Sequence, residues 1–334
     1  MIRREIIATA GAGRMGRGIA VAFAHAGHQV KVVDLKPRSP TGAGRLAADV
    51  CAEVRSTLSS LANLDLFDPA LVETIAGQIE FVPSEHATRA LAIADAVFEA
   101  VPETMAAKRH ALQVIGAAAR SDAVVASTTS TILTDELQAL VVAPERYLNA
   151  HWLNPAFLVP LVELAPGRDS DPGAVDRLKT LLLSIGKVPV LCRASPGYIV
   201  PRIQALAMNE AARLVEEGVA TAEEVDKATR YGFGFRFAVL GLLEFIDWGG
   251  SDTLYHASRY LTGATGETRF ATPAIVEATM AARRTGLATG RGFYDYRSVD
   301  VHAYRQARMR AFVAQLRHMD LARPPVLPSA SPDE

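Results

Sequence analysis

Cysteine is scarce in this 334-residue chain, where Cys51 and Cys192 are the only two. Their separation gives neither metal-ligand spacing nor a disulfide framework, so two buried thiols in a reducing compartment are expected. Net charge is equally absent, with 35 lysines and arginines against 36 aspartates and glutamates. That balance leaves no electrostatic footprint for nucleic acid or an anionic membrane. No apolar run reaches the ~18 residues of a membrane span. The opening MIRREIIATAGAG carries two arginines but no sustained apolar region before a small-residue cleavage site, so no secretory leader is expected. No internal repeat is found. What remains is a chain with 49% hydrophobic residues and length for about two domains at ~150 residues each. A soluble, cytoplasmic protein, most simply an enzyme, is expected.

What is present begins with a glycine turn. EIIATA reads as a short strand and runs into GAGRMG, where Gly11, Gly13 and Gly16 stand at G-x-G-x-x-G spacing. A helix follows over IAVAFAHAGH, closed by Gly27, and then a second strand, QVKVVD, ending in Asp34. The motif alone is weak, but strand, turn, helix, strand and acid in that order form a dinucleotide cradle. Gly11 permits the tight turn, Gly13 leaves room for a pyrophosphate, and Gly16 lets helix and strand pack closely. Met15, inside the turn, is counted with them as cofactor-binding. The helix N-terminus offers unpaired N–H groups to the phosphates. Asp34 suits the two ribose hydroxyls of NAD and would repel a 2′-phosphate, although Lys36 and Arg38 leave some opening for NADP. The bland alternative is a glycine-rich turn without a ligand.

Further along, residues 42–64 and 68–79 read as helices. IEFVP, AIADAVFEAVPE, VVASTTST, AVPERYLNAHWLNP and VPLVELAP supply strands, and PGAVDRLKTLLLSIGKVPVLC one more helix and strand. Alternation of this kind predicts an α/β fold with a doubly wound, mostly parallel sheet. Beyond residue 200 the apolar spacing is helical, and HAYRQARMRAFVAQLRHM predicts a docked helix with Met309, Phe312 and Leu316 on one face. ARPPVLPSASPDE reads as a frayed end.

Taken together, GAGRMGRGIA, FEAVPE, ASTTSTIL, HWLNPAFLVPLVEL, SPGYIVPRIQALAMNEAARLVEEGVATAEEVDKATRYGFGF and ATGRGFYDY resemble the L-3-hydroxyacyl-CoA dehydrogenase family. The likeness runs from about residue 5 to 297. It implies a Rossmann-like NAD-binding domain over 1–193 and an all-α dimerisation domain over 194–297, followed by an extension over 298–334. It also implies a homodimer. Carried over by position, His151 matches the family's catalytic base and Glu163 its partner, and Ser130 matches the hydroxyl that meets the substrate oxygen. Glu103 and Lys108 match positions lining the nicotinamide-side ribose, and Asn154 the asparagine of H-x-x-N-P, counted here as cofactor-binding.

The chemistry agrees with those assignments. Oxidising a secondary alcohol requires a base that takes the hydroxyl proton as hydride leaves carbon, and imidazole titrates near neutral pH. A carboxylate on its far nitrogen fixes the tautomer and stabilises the charged form. His151 would end one strand, NPAF would turn the chain, and Glu163 would return beside it, with prolines stiffening the turn. Against this stands an ordinary structural histidine and a solvated glutamate. Likewise the STTST hydroxyls can cap the following helix, and Glu103 can be a solvated acid in the first turn of residues 104–120.

Three departures from the family bear on substrate. Where the family has PGF-x-x-N-R, this chain has PGYIVPR; Pro201 offers no donor, and Gln204, one turn on, is the candidate replacement. Arg236 replaces part of a P-M-G-P segment, as in the gulonate dehydrogenase (lambda-crystallin) and carnitine dehydrogenase branches, and a guanidinium suits a free carboxylate. Alternatively Arg236 pairs with Glu244 or Asp247. Finally, the segment where the family meets coenzyme A lacks lysine here, leaving Arg45 and Arg55. The expected activity is NAD-dependent oxidation of an L-3-hydroxyacyl-CoA. A free 3-hydroxy acid held by Arg236 is the first rival and a non-catalytic NAD-binding protein the second.

Overall fold

The computed structural model describes residues 4–325. Eight strands form one sheet in the order β3-β2-β1-β4-β5-β6-β7-β8. They are β1 (Ile6–Ala10), β2 (Gln29–Val33), β3 (Ile79–Val82), β4 (Ala96–Glu99), β5 (Val124–Ser127), β6 (Tyr147–Trp152), β7 (Leu161–Pro166) and β8 (Val188–Leu191). Every pairing is parallel except β6 with β7. The first-unit helices are α1 (Arg14–His25), α2 (Pro40–Asn63), α3 (Val72–Ala76), α4 (Ala87–Ala92), α5 (Met105–Ala118), α6 (Thr134–Gln138) and α7 (Pro172–Ser184).

Side-chain alternation along the strands divides the core into two layers. Ile7, Phe98, Ala126 and Trp152 face α1, α2 and α7, where Phe23, Leu58 and Leu178 meet them. Ala8, Val97, Val125 and Tyr147 face α4 and α5, against Leu91, Leu112 and Ile115. Because both faces are covered, β4, β5 and β6 are buried along their whole length, and apolar residues occupy both faces of each. Chain order reverses direction at β1, which lies between β2 and β4, and the crevice at such a switch point is where open α/β sheets bind ligands.

The expected strand–helix order holds, with local differences. Asp68 accepts the Ala70 N–H, which breaks the helix expected over 68–79 into a 3₁₀ turn at Pro69–Leu71 followed by α3. Residues 92–95 do not extend β4; they close α4, a helix too short for its period to show. Cys51 is exposed on α2 and Cys192 only part-buried, so the expectation of two buried thiols is corrected. Among the described residues, no helix is long and apolar enough to cross a membrane.

The chain divides into two compact units, one ending at Ala207 and the other beginning at Met208. That division falls inside α8 (Val200–Glu216), a continuous helix. The second unit is helical, with α9 (Ala222–Ala228), α10 (Phe235–Phe237), α11 (Leu242–Gly249), α12 (Ser251–Thr265), α13 (Ala274–Ala281) and α14 (Val301–His318). A π-helical turn, Thr229–Gly234, joins α9 to α10. The expected C-terminal helix is α14, but its docked face differs from the one foreseen. Tyr304 meets Trp248, Arg308 pairs with Glu244 at 2.6 Å and Phe312 stacks on Phe235, whereas Met309 is exposed. Most of the expected frayed end lies outside the described residues.

Candidate active site

The C-terminal ends of β1, β2, β4, β5 and β6 border one cavity of about 590 Å³, lined among others by Gly11, Gly13, Met15, Asp34, Glu103, Ser130 and His151. Six expected site residues from distant parts of the chain, besides Met15, thus share one crevice. Glu163 lies directly behind His151 with no exposed surface. Lys108 is also fully buried, beneath Glu103 rather than in the wall. Asn154 borders a separate, much smaller recess with Arg14, Arg17 and Phe157. Gln204 is exposed on α8, and Arg236 is exposed in the second unit.

The glycine turn has the shape a dinucleotide needs. Gly11 has φ +129°, and a Cβ there would lie 2.5 Å from the Ala100 carbonyl oxygen. At Gly16 a Cβ would lie 2.0 Å from the Gly11 carbonyl oxygen, whereas at Gly13 it would meet nothing within 4 Å. Two glycines are therefore required by the fold itself, and the third opens a bare cradle at the start of α1. Asp34 is nearly buried at the end of β2 and holds Arg38 as an ion pair. NAD fits this cradle.

On the opposite side of the crevice, antiparallel pairing sets His151 directly across from Glu163. His151 Nδ1 and Glu163 Oε2 are 2.8 Å apart. The carboxylate keeps a proton on Nδ1, leaving Nε2 as the basic nitrogen. The second oxygen, Oε1, accepts the N–H groups of Ile199 at 2.9 Å and Val200 at 2.8 Å, unpaired donors at the start of α8. A carboxylate bonded on both oxygens cannot swing away from the imidazole.

The STTST run does not cap α6, whose N-cap is Leu133 with no side-chain bond. Its donors converge on Glu103 instead. Oε1 accepts from the Thr129 hydroxyl, the Ser130 and Thr131 N–H groups at 3.0 Å each, and the Thr131 hydroxyl at 2.9 Å. Glu103 is accordingly not a free first-turn acid. Burial works to raise its carboxyl, but Thr129, the Lys108 ammonium and Thr131 outweigh that and hold it at about 2. Glu103 thus shapes the loop that carries Ser130.

Two participants escaped the sequence reading. Glu99 has no exposed surface and pairs with Lys108 at 3.0 Å, and Lys108 reaches Glu103 at 3.2 Å. A lone acid within A-V-F-E-A-V was the available signal, since a carboxylate in a fully apolar strand must be partnered. The other is Tyr198, whose ring is stacked on the His151 imidazole.

Arg236 pairs with neither Glu244 nor Asp247. Its Nε donates to the Gly232 carbonyl at 3.0 Å, and its guanidinium lies 5.3 Å from the Phe245 ring centre. Glu244 is taken by Tyr304 and Arg308, and Asp247 accepts the Phe293 and Tyr294 N–H groups at 2.9 Å each. Arg55 is engaged by Glu73 at 3.0 Å.

Comparison with known proteins is consistent along the chain. Residues 6–195 match the family described as 3-hydroxyacyl-CoA dehydrogenase, NAD binding domain, and residues 197–296 its C-terminal domain. The chain is 32% identical to a 5-formyl-3-hydroxy-2-methylpyridine 4-carboxylate 5-dehydrogenase of Mesorhizobium japonicum, over 96% of this chain and 99% of the relative. It is 30% identical to a probable 3-hydroxybutyryl-CoA dehydrogenase of Bacillus subtilis, over 87% and 96% respectively. Among solved structures, a 3-hydroxyacyl-CoA dehydrogenase of Archaeoglobus fulgidus superposes with a TM-score of 0.73 at 28% identity, covering 96% of this chain and all of that one.

Proposed function

Because the chain belongs to the 3-hydroxyacyl-CoA dehydrogenase family, we propose that His151 is the general base that removes the hydroxyl proton of an L-3-hydroxyacyl substrate. The observation that carries this is the 2.8 Å His151–Glu163 pair opening into the same cavity as the glycine cradle. Bound NAD supplies the hydride acceptor. Nε2 takes the proton from the substrate oxygen, and Glu163 stabilises the imidazolium that results. Ser130 donates its hydroxyl to that same oxygen, on a loop whose shape Glu103 maintains. Gln204 offers the amide that Pro201 lacks, and the exposed apolar residues of α8 form part of a homodimer contact.

For the substrate, a coenzyme A thioester is the first reading, supported by the family and by relatives of matching length. Two observations favour a free 3-hydroxy acid as the second. Arg236 has no carboxylate partner among the described residues, and α2 offers no lysine while Arg55 is already paired. The deciding experiment is steady-state NADH oxidation with acetoacetyl-CoA beside acetoacetate and a small panel of 3-oxo acids. A preference for free acids above about a hundredfold, roughly the discrimination one charge-paired contact can supply, overturns the thioester assignment. His151→Gln is expected to abolish turnover on either substrate while NADH still binds. A wild-type rate in that variant would refute the base.

A further inference from the structure

One hydrogen bond aims the imidazole of His151 but does not set its plane, because a ring can pivot about the N–H···O axis. The second constraint comes from Tyr198, whose ring lies parallel to the imidazole at 9° with centroids 5.1 Å apart. Tyr198 is itself buried and immobilised at its far end. Its hydroxyl donates to the Thr129 carbonyl at 3.0 Å and accepts from Asn149 Nδ2 at 3.1 Å. Asn149 Nδ2 also donates to the Ile132 carbonyl at 3.0 Å, and Asn149 Oδ1 accepts the Tyr147 hydroxyl at 2.8 Å. Thr129 and Ile132 flank Ser130. Burial pushes the Tyr198 hydroxyl up from its ordinary value, so it stays protonated as a donor.

Backbone geometry points the same way. Tyr198 has φ +42° directly after Gly197 at φ +74°. A tyrosine in the left-handed region costs about 1 kcal/mol or more, and such outliers persist where the surroundings require them. Here the turn puts the ring on the imidazole and aims the next two N–H groups at Glu163.

We propose that Tyr198 is a positioning residue for the His151–Glu163 pair, its ring fixing the imidazole plane and its hydroxyl tying the pair to the Ser130 loop. The inference rests on the reading of His151 as the base. A parallel neutral ring holds the imidazole by offset stacking, while the hydroxyl network makes base and substrate-facing hydroxyl parts of one rigid assembly. The phenylalanine of the family's PGF segment would supply only the ring. In this chain the position is a tyrosine, and its hydroxyl carries the bonds to Thr129 and Asn149.

The test compares Tyr198→Phe and Tyr198→Leu in NADH oxidation with acetoacetyl-CoA and with acetoacetate. A misplaced reacting group costs on the order of a hundredfold in rate, so Tyr198→Leu is expected to lower kcat by roughly 30- to 100-fold and Tyr198→Phe by about 3- to 10-fold. NADH binding, read by fluorescence, should stay within about twofold of wild type in both, as expected for an interaction that acts on the chemical step alone. Nitrogen NMR of the protein labelled at histidine adds a substrate-free readout. The single Nδ1-protonated state of His151 should persist in Tyr198→Phe and give way to mixed tautomers in Tyr198→Leu. Unchanged kcat in Tyr198→Leu, or a single Nδ1-protonated His151 retained in that variant, overturns the proposal. If the leucine variant does not fold, a wild-type kcat in the phenylalanine variant overturns the hydroxyl's role, and its retained tautomer tests the ring's. A fully active His151→Gln enzyme would instead sink the base assignment itself.

Discussion

Glu103 is the most heavily bonded side chain of the crevice, with four donors and an ammonium around one carboxylate. Its carboxyl sits at about 2, depressed from an ordinary 4.5. A group whose folded value is depressed stabilises the protein fully above its unfolded value and loses that contribution as pH falls toward the folded one. The expected outcome is that Glu103→Gln lowers the thermal midpoint at pH 7, and that the gap to wild type narrows between about pH 4.5 and pH 2. Thermal melts across that range check it, and a gap independent of pH would contradict it. At this scale the sequence was only partly legible. His151 and Glu163 could be paired from spacing, because strand register is a local property. Glu99, Lys108 and Tyr198 could not, since each gains its meaning from partners on another strand or loop.

Elements were read more surely than the residues between them. The β1–α1–β2 unit is legible because glycine spacing, helix period and the terminal acid are all local signals. Its three glycines should nevertheless respond differently to substitution. Gly16→Ala places a methyl against backbone and is expected to cost about 1–3 kcal/mol in stability, together with NADH binding. Gly13→Ala meets open space, so a fold of near-normal stability is expected, with NADH affinity reduced because the methyl projects into the cradle. Denaturant unfolding and NADH fluorescence separate the two. The STTST loop left two readings open because a hydroxyl run before a helix looks the same whether it caps that helix or grips a distant glutamate. Only the tertiary structure puts Glu103 within reach.

Over the whole molecule, the α/β order and the helical second half were legible from periodicity, and the family resemblance from motifs in order. The division between compact units falls within a continuous helix, which leaves no compositional mark. In the second unit, Asp247 is buried and accepts the N–H groups of Phe293 and Tyr294, so it pins the RGFYDY turn to α11. Asp247→Ala leaves those donors unpaired and is expected to destabilise by about 2–4 kcal/mol, measured by urea unfolding. Along α8, Leu206 is 59% and Met208 69% exposed, an unusual surface for a helix so rich in apolar residues. If this helix joins two copies, sedimentation should give twice the 35.7 kDa chain mass. Leu206→Glu with Met208→Glu should reduce it to one.

Reversal of a single strand has a reach beyond the crevice. Because β7 runs against β6, the spacing between base and acid is dictated by ladder register and not by the residues that connect them. The connecting bend is anchored separately, with Lys187 Nζ on the Ala156 and Val159 carbonyls at 2.7 and 2.8 Å, while Leu158 projects into solvent. A change at that solvent-facing tip should accordingly leave the proton-handling pair where the ladder puts it.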